Sequence, residues 1–469
     1  MVLPNPVDID NQRRDEAVEY LLNRVNYERL PQVSYSSRWF KLDRMHELLR
    51  RLNSPHRGIP VVHVAGTKGK GSSATMIATI LTDAGYRTGL FTSPHLDRIE
   101  ERFAVDGQPC RPGELVTLVE TIKPVIEAMD REAAQTPNPL EGRPTYFEIT
   151  TAMALLHFVR RAVDLAVLEV GLGGRLDSTN VCQPLVSVIT SISLDHTAQL
   201  GGDLESIAAE KAGIIKPAVP VVSGVTQPEP RAVVRQTADR LGCRLVEAGV
   251  DFEAVGFTET DDHGKSISSF DYHRQGQVEL RNLRLAMLGR HQATNAAVAL
   301  AVVEELRGAG WPVSETAVRS GLARAACPAR VEILDSRPAV VFDVAHNRAS
   351  AEALAGVLNA RFADRRKWAI FAASQDKDLR GMLEVLLPVF DEVIFTRYLD
   401  NPRTASAHDL AELAKELTGR TYPTASTPVE SWDWVAGRAL PDDVICATGS
   451  FFIVAELRRH VLASSAASS

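Results

Sequence analysis

Val61-Val62-His63-Val64-Ala65-Gly66-Thr67-Lys68-Gly69-Lys70-Gly71-Ser72 carries an apolar stretch into a glycine-rich turn with a lysine inside it. Gly66, Gly69 and Gly71 have no Cβ, so several backbone N–H groups can converge on one anion. From Ser72 onward, Ala74, Ile77, Leu81 and Ala84 keep helical spacing. The turn therefore sits at a helix N-terminus, where free N–H groups and the helix dipole favour phosphate. Lys70 supplies the positive charge that a triphosphate needs. These residues predict a strand, a phosphate loop and a helix that bind ATP or GTP.

The loop departs from the common form G-x-x-x-x-G-K-[ST]. Val64 stands in place of the first glycine, and Gly71 stands where a hydroxyl would ligate Mg²⁺. The ion must then take protein oxygens from elsewhere, or be held mainly by phosphates and water.

The 469 residues suffice for two to three domains, each with its own core. A net charge of −7 gives no electrostatic case for nucleic acid or for an anionic membrane. Cys110, Cys182, Cys243, Cys327 and Cys446 are scattered without a C-x-x-C pair, so neither a zinc site nor a disulfide framework is indicated. The first residues lack a basic-then-apolar leader, and no apolar run is long enough to cross a bilayer. A cytoplasmic protein is expected.

Short β runs separated by helical patterns fill the first two thirds of the chain. Ile59–Ala65, Tyr86–Thr92, Asp164–Val170, Pro184–Ser191 and Ala218–Val222 read as strands of a parallel sheet covered on both faces. Thr92-Ser93-Pro94-His95, Glu169 and Asp195-His196 each lie at the carboxyl end of such a strand, where sites in these sheets form. Glu247–Leu288 alternates in polarity and reads as a small antiparallel insertion, leading to Gly289–Asn295 and an alanine-rich helix. A boundary is placed near Cys327-Pro328. Beyond it Val340–Asp343, Trp368–Phe371, Glu392–Phe395 and Val444–Ala447 read as strands of a second α/β domain. The division is 1–328 and 329–469.

Glu169, at the end of an apolar strand and before Gly171-Leu172-Gly173-Gly174, needs a partner if buried. An Mg²⁺ ion meets that need, and so does a salt bridge to an arginine such as Arg175. Ser93 offers the hydroxyl that Gly71 lacks, although a serine before proline is also an ordinary turn residue.

Taken in order, Gly66–Ser72, Thr92-Ser93-Pro94, Glu169–Asp177, Leu194–Thr197 and Glu210–Ile214 resemble the folylpolyglutamate synthase/dihydrofolate synthase family of the Mur ligase superfamily. The resemblance continues through His291–Asn295, Asp343–Asn347 and Gly449-Ser450-Phe451. It implies a central P-loop domain of Mur ligase type and a smaller, Rossmann-like C-terminal domain. The implied reaction is ATP-dependent: a folate or pteroate carboxylate becomes an acyl phosphate, and the amine of L-glutamate displaces phosphate. The expected partners are therefore ATP, glutamate and folate or dihydropteroate, with two Mg²⁺ ions, and a monomer is expected.

By the same resemblance, Gly66, Thr67, Lys68, Gly69, Lys70, Gly71 and Ser72 cradle the phosphates. Ser93 and Glu169 ligate one ion and His196 the other, with Lys211 carbamylated to serve as a metal-binding carboxylate. Asn295 is implied at the adenine, with Arg330 and Asp343 at the nucleotide from the second domain. His346 and Ser450 are candidates for glutamate binding or for taking the amine proton. Tyr146 or Phe147 would stack on the pterin, with Arg175, Leu176 and Asp177 adding contacts, and Ser34–Met45 would cover the pocket. Catalysis would require closure about a hinge near residues 326–331. A cell-wall ligase with another acceptor, and a nucleotide-dependent switch without ligase activity, stand as alternatives.

Overall fold

A computed structural model describes residues 6–28, 42–194, 201–262, 265–334 and 336–467. Asp195, His196 and Thr197, and the 34–41 part of the expected cover, lie outside the described residues. The chain forms two compact units. The first comprises Met1–Thr258, Ser269–Ala286 and Gln292–Ala326, and the second comprises Glu259–Ser268, Met287–His291 and Cys327–Ser469.

The first unit is organised by an eight-stranded sheet. Its strands are β1 (Val61–Ala65), β2 (Thr88–Phe91), β3 (Phe103–Val105), β4 (Gln108–Pro109), β5 (Leu165–Glu169), β6 (Val186–Ile189), β7 (Val221–Ser223) and β8 (Leu245–Glu247). Their spatial order is β4-β3-β2-β5-β1-β6-β7-β8. β1 lies between β5 and β6, parallel to both, and all five of its residues are buried. A strand covered on both faces reads as a continuous apolar run, and for this reason β1 was visible in the sequence.

The five strands expected from the sequence, β1, β2, β5, β6 and β7, are parallel, and two further strands at one side of the sheet are not. β3 runs antiparallel to β2, and β4 antiparallel to β3. Asp106 (φ 54°) and Gly107 (φ 73°) make the tight connection, both in the left-handed region that a two-residue hairpin turn requires. Strands of three and two residues are too short to display a period. A core of Phe91, Phe103, Ile122, Ile149, Phe158 and Leu168 packs on one side of the sheet, and one of Ile189, Ile207, Ile214 and Val234 on the other strands.

The helix after the phosphate loop begins at Lys70, two residues before the expected start, and ends at Asp83. A second helix, Glu315–Arg324, crosses it so closely that a Cβ on Gly321 would lie 2.6 Å from the Ile80 Cα. The helix Tyr146–Arg160 opens with a reciprocal cap: the Thr145 hydroxyl accepts from the Glu148 amide, and the Glu148 carboxylate accepts from the Thr145 amide at 2.8 Å.

The insertion is a three-stranded sheet of β9 (Phe252–Asp262), β10 (Lys265–Arg274) and β11 (Gln277–Leu285), ordered β11-β10-β9. Two residues join β10 to β11, so that pair is antiparallel.

In the second unit, β12 (Glu332–Leu334), β13 (Ala339–Phe342), β14 (Lys367–Phe371), β15 (Glu392–Phe395) and β16 (Val444–Thr448) form a sheet of order β12-β13-β16-β14-β15. Four strands are parallel, while β12 pairs antiparallel with β13. β12 was not foreseen, because its three residues, Glu332-Ile333-Leu334, are too few to show a period and only partly buried.

Candidate active site

The phosphate loop takes its shape from segments distant in sequence. Gly66 (φ 152°) and Gly69 (φ 78°) hold backbone angles that a side chain rarely adopts. A Cβ on Gly66 would meet the Thr190 hydroxyl at 1.9 Å. That hydroxyl donates to the Lys68 carbonyl at 2.6 Å, and the Lys68 amide donates to Ser191 Oγ at 3.0 Å. The Thr67 amide donates to the Ser191 carbonyl at 2.7 Å. The end of β6 thus braces the loop along its length.

Two lysines converge on one loop carbonyl. Lys70 Nζ donates to the Gly66 oxygen at 3.0 Å, and Lys211 Nζ donates to the same oxygen at 2.9 Å. Lys211, in the helix Leu204–Ala212, is 5% exposed. It is not a surface lysine. Asn295, in the helix Arg290–Gly308, stands against the loop on its other side, and its amide nitrogen donates to Gln292 Oε1 at 3.0 Å.

Glu169 closes β5 and is buried. Its Oε2 accepts from the Ser93 amide at 3.2 Å and lies 3.6 Å from where a Cβ on Gly71 would stand. The carboxylate therefore faces the position from which a Ser or Thr hydroxyl would reach, together with Ser93. Both are hard oxygen donors of the kind Mg²⁺ prefers. The alternative partner for Glu169 is not the one found: Arg175 pairs instead with Glu210, at 2.8 Å.

Sequence reasoning missed a group next to Ser93. His95 Nδ1 accepts from Arg102 Nε at 2.8 Å, while the two terminal nitrogens of Arg102 bind the Glu28 carboxylate at 2.9 and 2.7 Å. The guanidinium is buried and lies over the Tyr146 ring, 5.3 Å from its centroid. An arginine among Ile99-Glu100-Glu101 reads as a surface charge, so the sequence carried no signal for it.

The expected pterin-side residues divide. Tyr146 is 1% exposed inside the apolar core under Arg102, so it is a core residue and not a stacking surface. Phe147 is half-buried, and its ring lies against Gly171, where an added Cβ would come within 2.3 Å. Leu176 is half-buried and packs on the apolar cluster of Val170, Ile192 and Ile214. Asp177 is buried, and its oxygens accept from the amides of Gly171, Leu172 and Thr179, each at 3.0 Å. Its evident work is to fold the loop after β5.

In the second unit, Asp343 follows β13 and is 7% exposed. One carboxylate oxygen accepts from the Val331 amide and the other from the Ala345 amide, each at 2.9 Å. Burial pushes its pKa up to about 6, with the Arg330 cation opposing the rise. Arg330 sits between Ala329 (φ 59°) and Val331 (φ 51°), a conformation that is costly for a β-branched residue. Asp343 holds that turn, and the Arg330 guanidinium lies over Phe451, 5.5 Å from the ring centroid. His346 Nδ1 lies 2.9 Å from the Val344 carbonyl, which can only accept, so the Nδ1 proton is fixed there and Nε2 is left as the basic nitrogen. Ser450, after β16, is buried, and its Oγ accepts from the Phe452 amide at 3.2 Å.

Comparison with known proteins gives a consistent answer. Residues 114–303 match the Mur ligase middle domain, and residues 329–451 match the Mur ligase glutamate ligase domain. The chain is 36% identical to the dihydrofolate synthase/folylpolyglutamate synthase of Bacillus subtilis, over 90% of this chain and 94% of the relative. It is 38% identical to the Escherichia coli protein of the same name, over 85% of each. Mycobacterium tuberculosis folylpolyglutamate synthase, solved with ADP, superimposes with a TM-score of 0.83 at 32% identity, over 96% of this chain and 98% of that one. The braced phosphate loop, the carboxylate facing it and these likenesses agree, and the chain belongs to the folylpolyglutamate synthase/dihydrofolate synthase family of ATP-dependent Mur ligases.

Proposed function

We propose that this chain joins L-glutamate to the carboxylate of a folate or of dihydropteroate at the expense of ATP, with the residues above in the following roles. The amides of Gly66–Ser72 and the Lys70 ammonium bind the β- and γ-phosphates. Asn295 beside the loop takes the adenine. Ser93 and Glu169 would hold Mg²⁺, which supplies charge neutralisation to the triphosphate when bound. His196 and a carbamylated Lys211 are assigned to a second ion.

The acceptor carboxylate oxygen bonds to the γ-phosphorus as the bond to the β-bridging oxygen breaks, giving an acyl phosphate and ADP. Little covalent help from the protein is needed, because positioning and neutralised charge carry the step. Arg330, held rigid by Asp343, stabilises charge on the transferring group. The glutamate amine then bonds to the acyl carbon, inorganic phosphate leaves, and the amine proton passes to a base. His346 Nε2, with its proton fixed on Nδ1, is suited to that role, and Ser450 to binding the glutamate. Phe147 against Gly171 supplies a flat apolar surface for the pterin.

The observation that carries this reading is the meeting of Lys70 and Lys211 on the Gly66 carbonyl, with Glu169 opposite Gly71. Purified protein with ATP and glutamate, given dihydropteroate or tetrahydrofolate side by side, tests it. ADP release should require both acceptor and glutamate; release that ignores them would favour a nucleotide switch. Among the described residues no helix is long and apolar enough to cross a membrane.

A further inference from the structure

A buried polar relay links β1, the strand that feeds the phosphate loop, to the loop after β5. His63 is wholly buried, and its Nε2 lies 2.8 Å from Thr179 Oγ1. Thr179 Oγ1 lies 2.5 Å from Asp177 Oδ1, and a carboxylate can only accept. The single hydroxyl proton is therefore committed to Asp177, and Thr179 must accept from His63 Nε2–H. The remaining ring nitrogen, Nδ1, is buried without a hydrogen-bond partner. Burial, with the Lys216 cation nearby, pushes the His63 pKa down to about 3, so the ring stays neutral. A buried histidine with one nitrogen unpaired costs stability that an apolar residue would not. Its one bond must hold something in place.

Following the bonds shows what is held. Asp177 Oδ2 accepts from the amides of Gly171 and Leu172. Gly171 is the residue against which the Phe147 ring lies. Neighbouring side chains secure the same segment: Ser178 Oγ is 2.6 Å from Thr151 Oγ1, and Asn180 Nδ2 donates to the carbonyls of Arg175 and Gly213 at 3.0 and 3.1 Å.

We propose that His63 and Thr179 are positioning residues for acceptor binding: His63 orients the Thr179 hydroxyl, Thr179 orients Asp177, and Asp177 fixes the Gly171–Leu172 backbone that seats Phe147. This rests on the reading that the Phe147–Gly171 surface receives the pterin. Neither residue touches the nucleotide loop through the relay, so its loss weakens the acceptor and spares ATP.

The test compares Thr179→Val, which keeps shape without the hydroxyl, with Thr179→Ser, which keeps the hydroxyl. Thr179→Val is expected to raise the acceptor KM by about ten- to a hundredfold, to leave the KM for ATP unchanged, and to lose hydrogen-exchange protection at the Gly171 and Leu172 amides. Thr179→Ser should restore all three readouts, which a loss of packing alone would not explain. An acceptor KM that does not move, or that moves together with the ATP KM, overturns the proposal. Should Thr179→Val not fold, Thr179→Ala carries the same comparison. If the wild-type protein ligates no folate, the functional reading fails on its own, and exchange still decides the relay: amides that stay protected without the hydroxyl would sink it.

Discussion

The side-chain oxygen of Asn295 stands 2.2 Å from the point that a Cβ on Gly69 would occupy. With Asn295 in this rotamer, the loop and the helix Arg290–Gly308 approach this closely because residue 69 has no side chain. Gly69→Ala adds a left-handed backbone penalty of about 1–2 kcal/mol to that clash. We expect the KM for ATP to rise by about tenfold or more, and steady-state kinetics checks it.

Lys70→Ala should abolish acceptor-dependent ADP release while leaving cooperative unfolding intact, since Lys70 is only partly buried at the helix start. Turnover retained in that variant would remove the phosphate-loop assignment. Glu169→Gln keeps the shape and discards the charge, so the magnesium concentration for half-maximal rate should rise by about tenfold or more. A magnesium titration of the rate reads this directly.

Arg44 and Glu148 form an ion pair at 2.8 Å with side chains 5% and 7% exposed, and the same carboxylate caps the helix Tyr146–Arg160. Arg44→Met leaves a buried charge uncompensated and should cost about 3–5 kcal/mol in urea unfolding. Arg44→Met with Glu148→Gln should recover part of that loss; no recovery would place the cost in packing.

Asp343 has a folded pKa of about 6, above its ordinary 3.8. Between those values the native state binds a proton that the unfolded chain does not, so this group's contribution to stability grows as pH falls through 6. The effect on catalysis has the opposite sign, because a protonated Asp343 holds the Val331 and Ala345 amides less well and Arg330 loses its support. The rate should therefore fall on the acid side near pH 6 without a matching loss of Tm. Arg330→Met removes the opposing cation and should move the Asp343 titration, followed by carboxyl NMR, to higher pH.

Burial raises the thiol pKa of Cys110 and Cys182 to about 12, and that of Cys446 well above its ordinary range. Iodoacetamide at neutral pH should leave these three untouched in the native protein, and mass spectrometry after denaturation should find them alkylated.

The parts of the candidate site that were legible in the sequence are those whose signal is local. Gly66–Ser72 declares a phosphate loop within a few residues, and Glu169 stands out as an acid ending an apolar strand. Contacts joining distant segments left no such trace: Lys211 meets Gly66 across 145 positions, and His63 meets Thr179 across 116. Tyr146 and Phe147 were indistinguishable because their helix is buried nearly all round, so periodicity cannot say which ring faces a ligand. The short strands β3, β4 and β12 were invisible for want of length. The second sheet was legible because β13, β14 and β16 are buried throughout.

One border of the large sheet is β4, two residues long and ending in Pro109, whose nitrogen bears no hydrogen. A passing chain that tried to extend the sheet there would find almost no ladder to copy and one rung missing. A sheet of eight strands is thereby guarded, along that border, against growing into a neighbouring molecule when crowded.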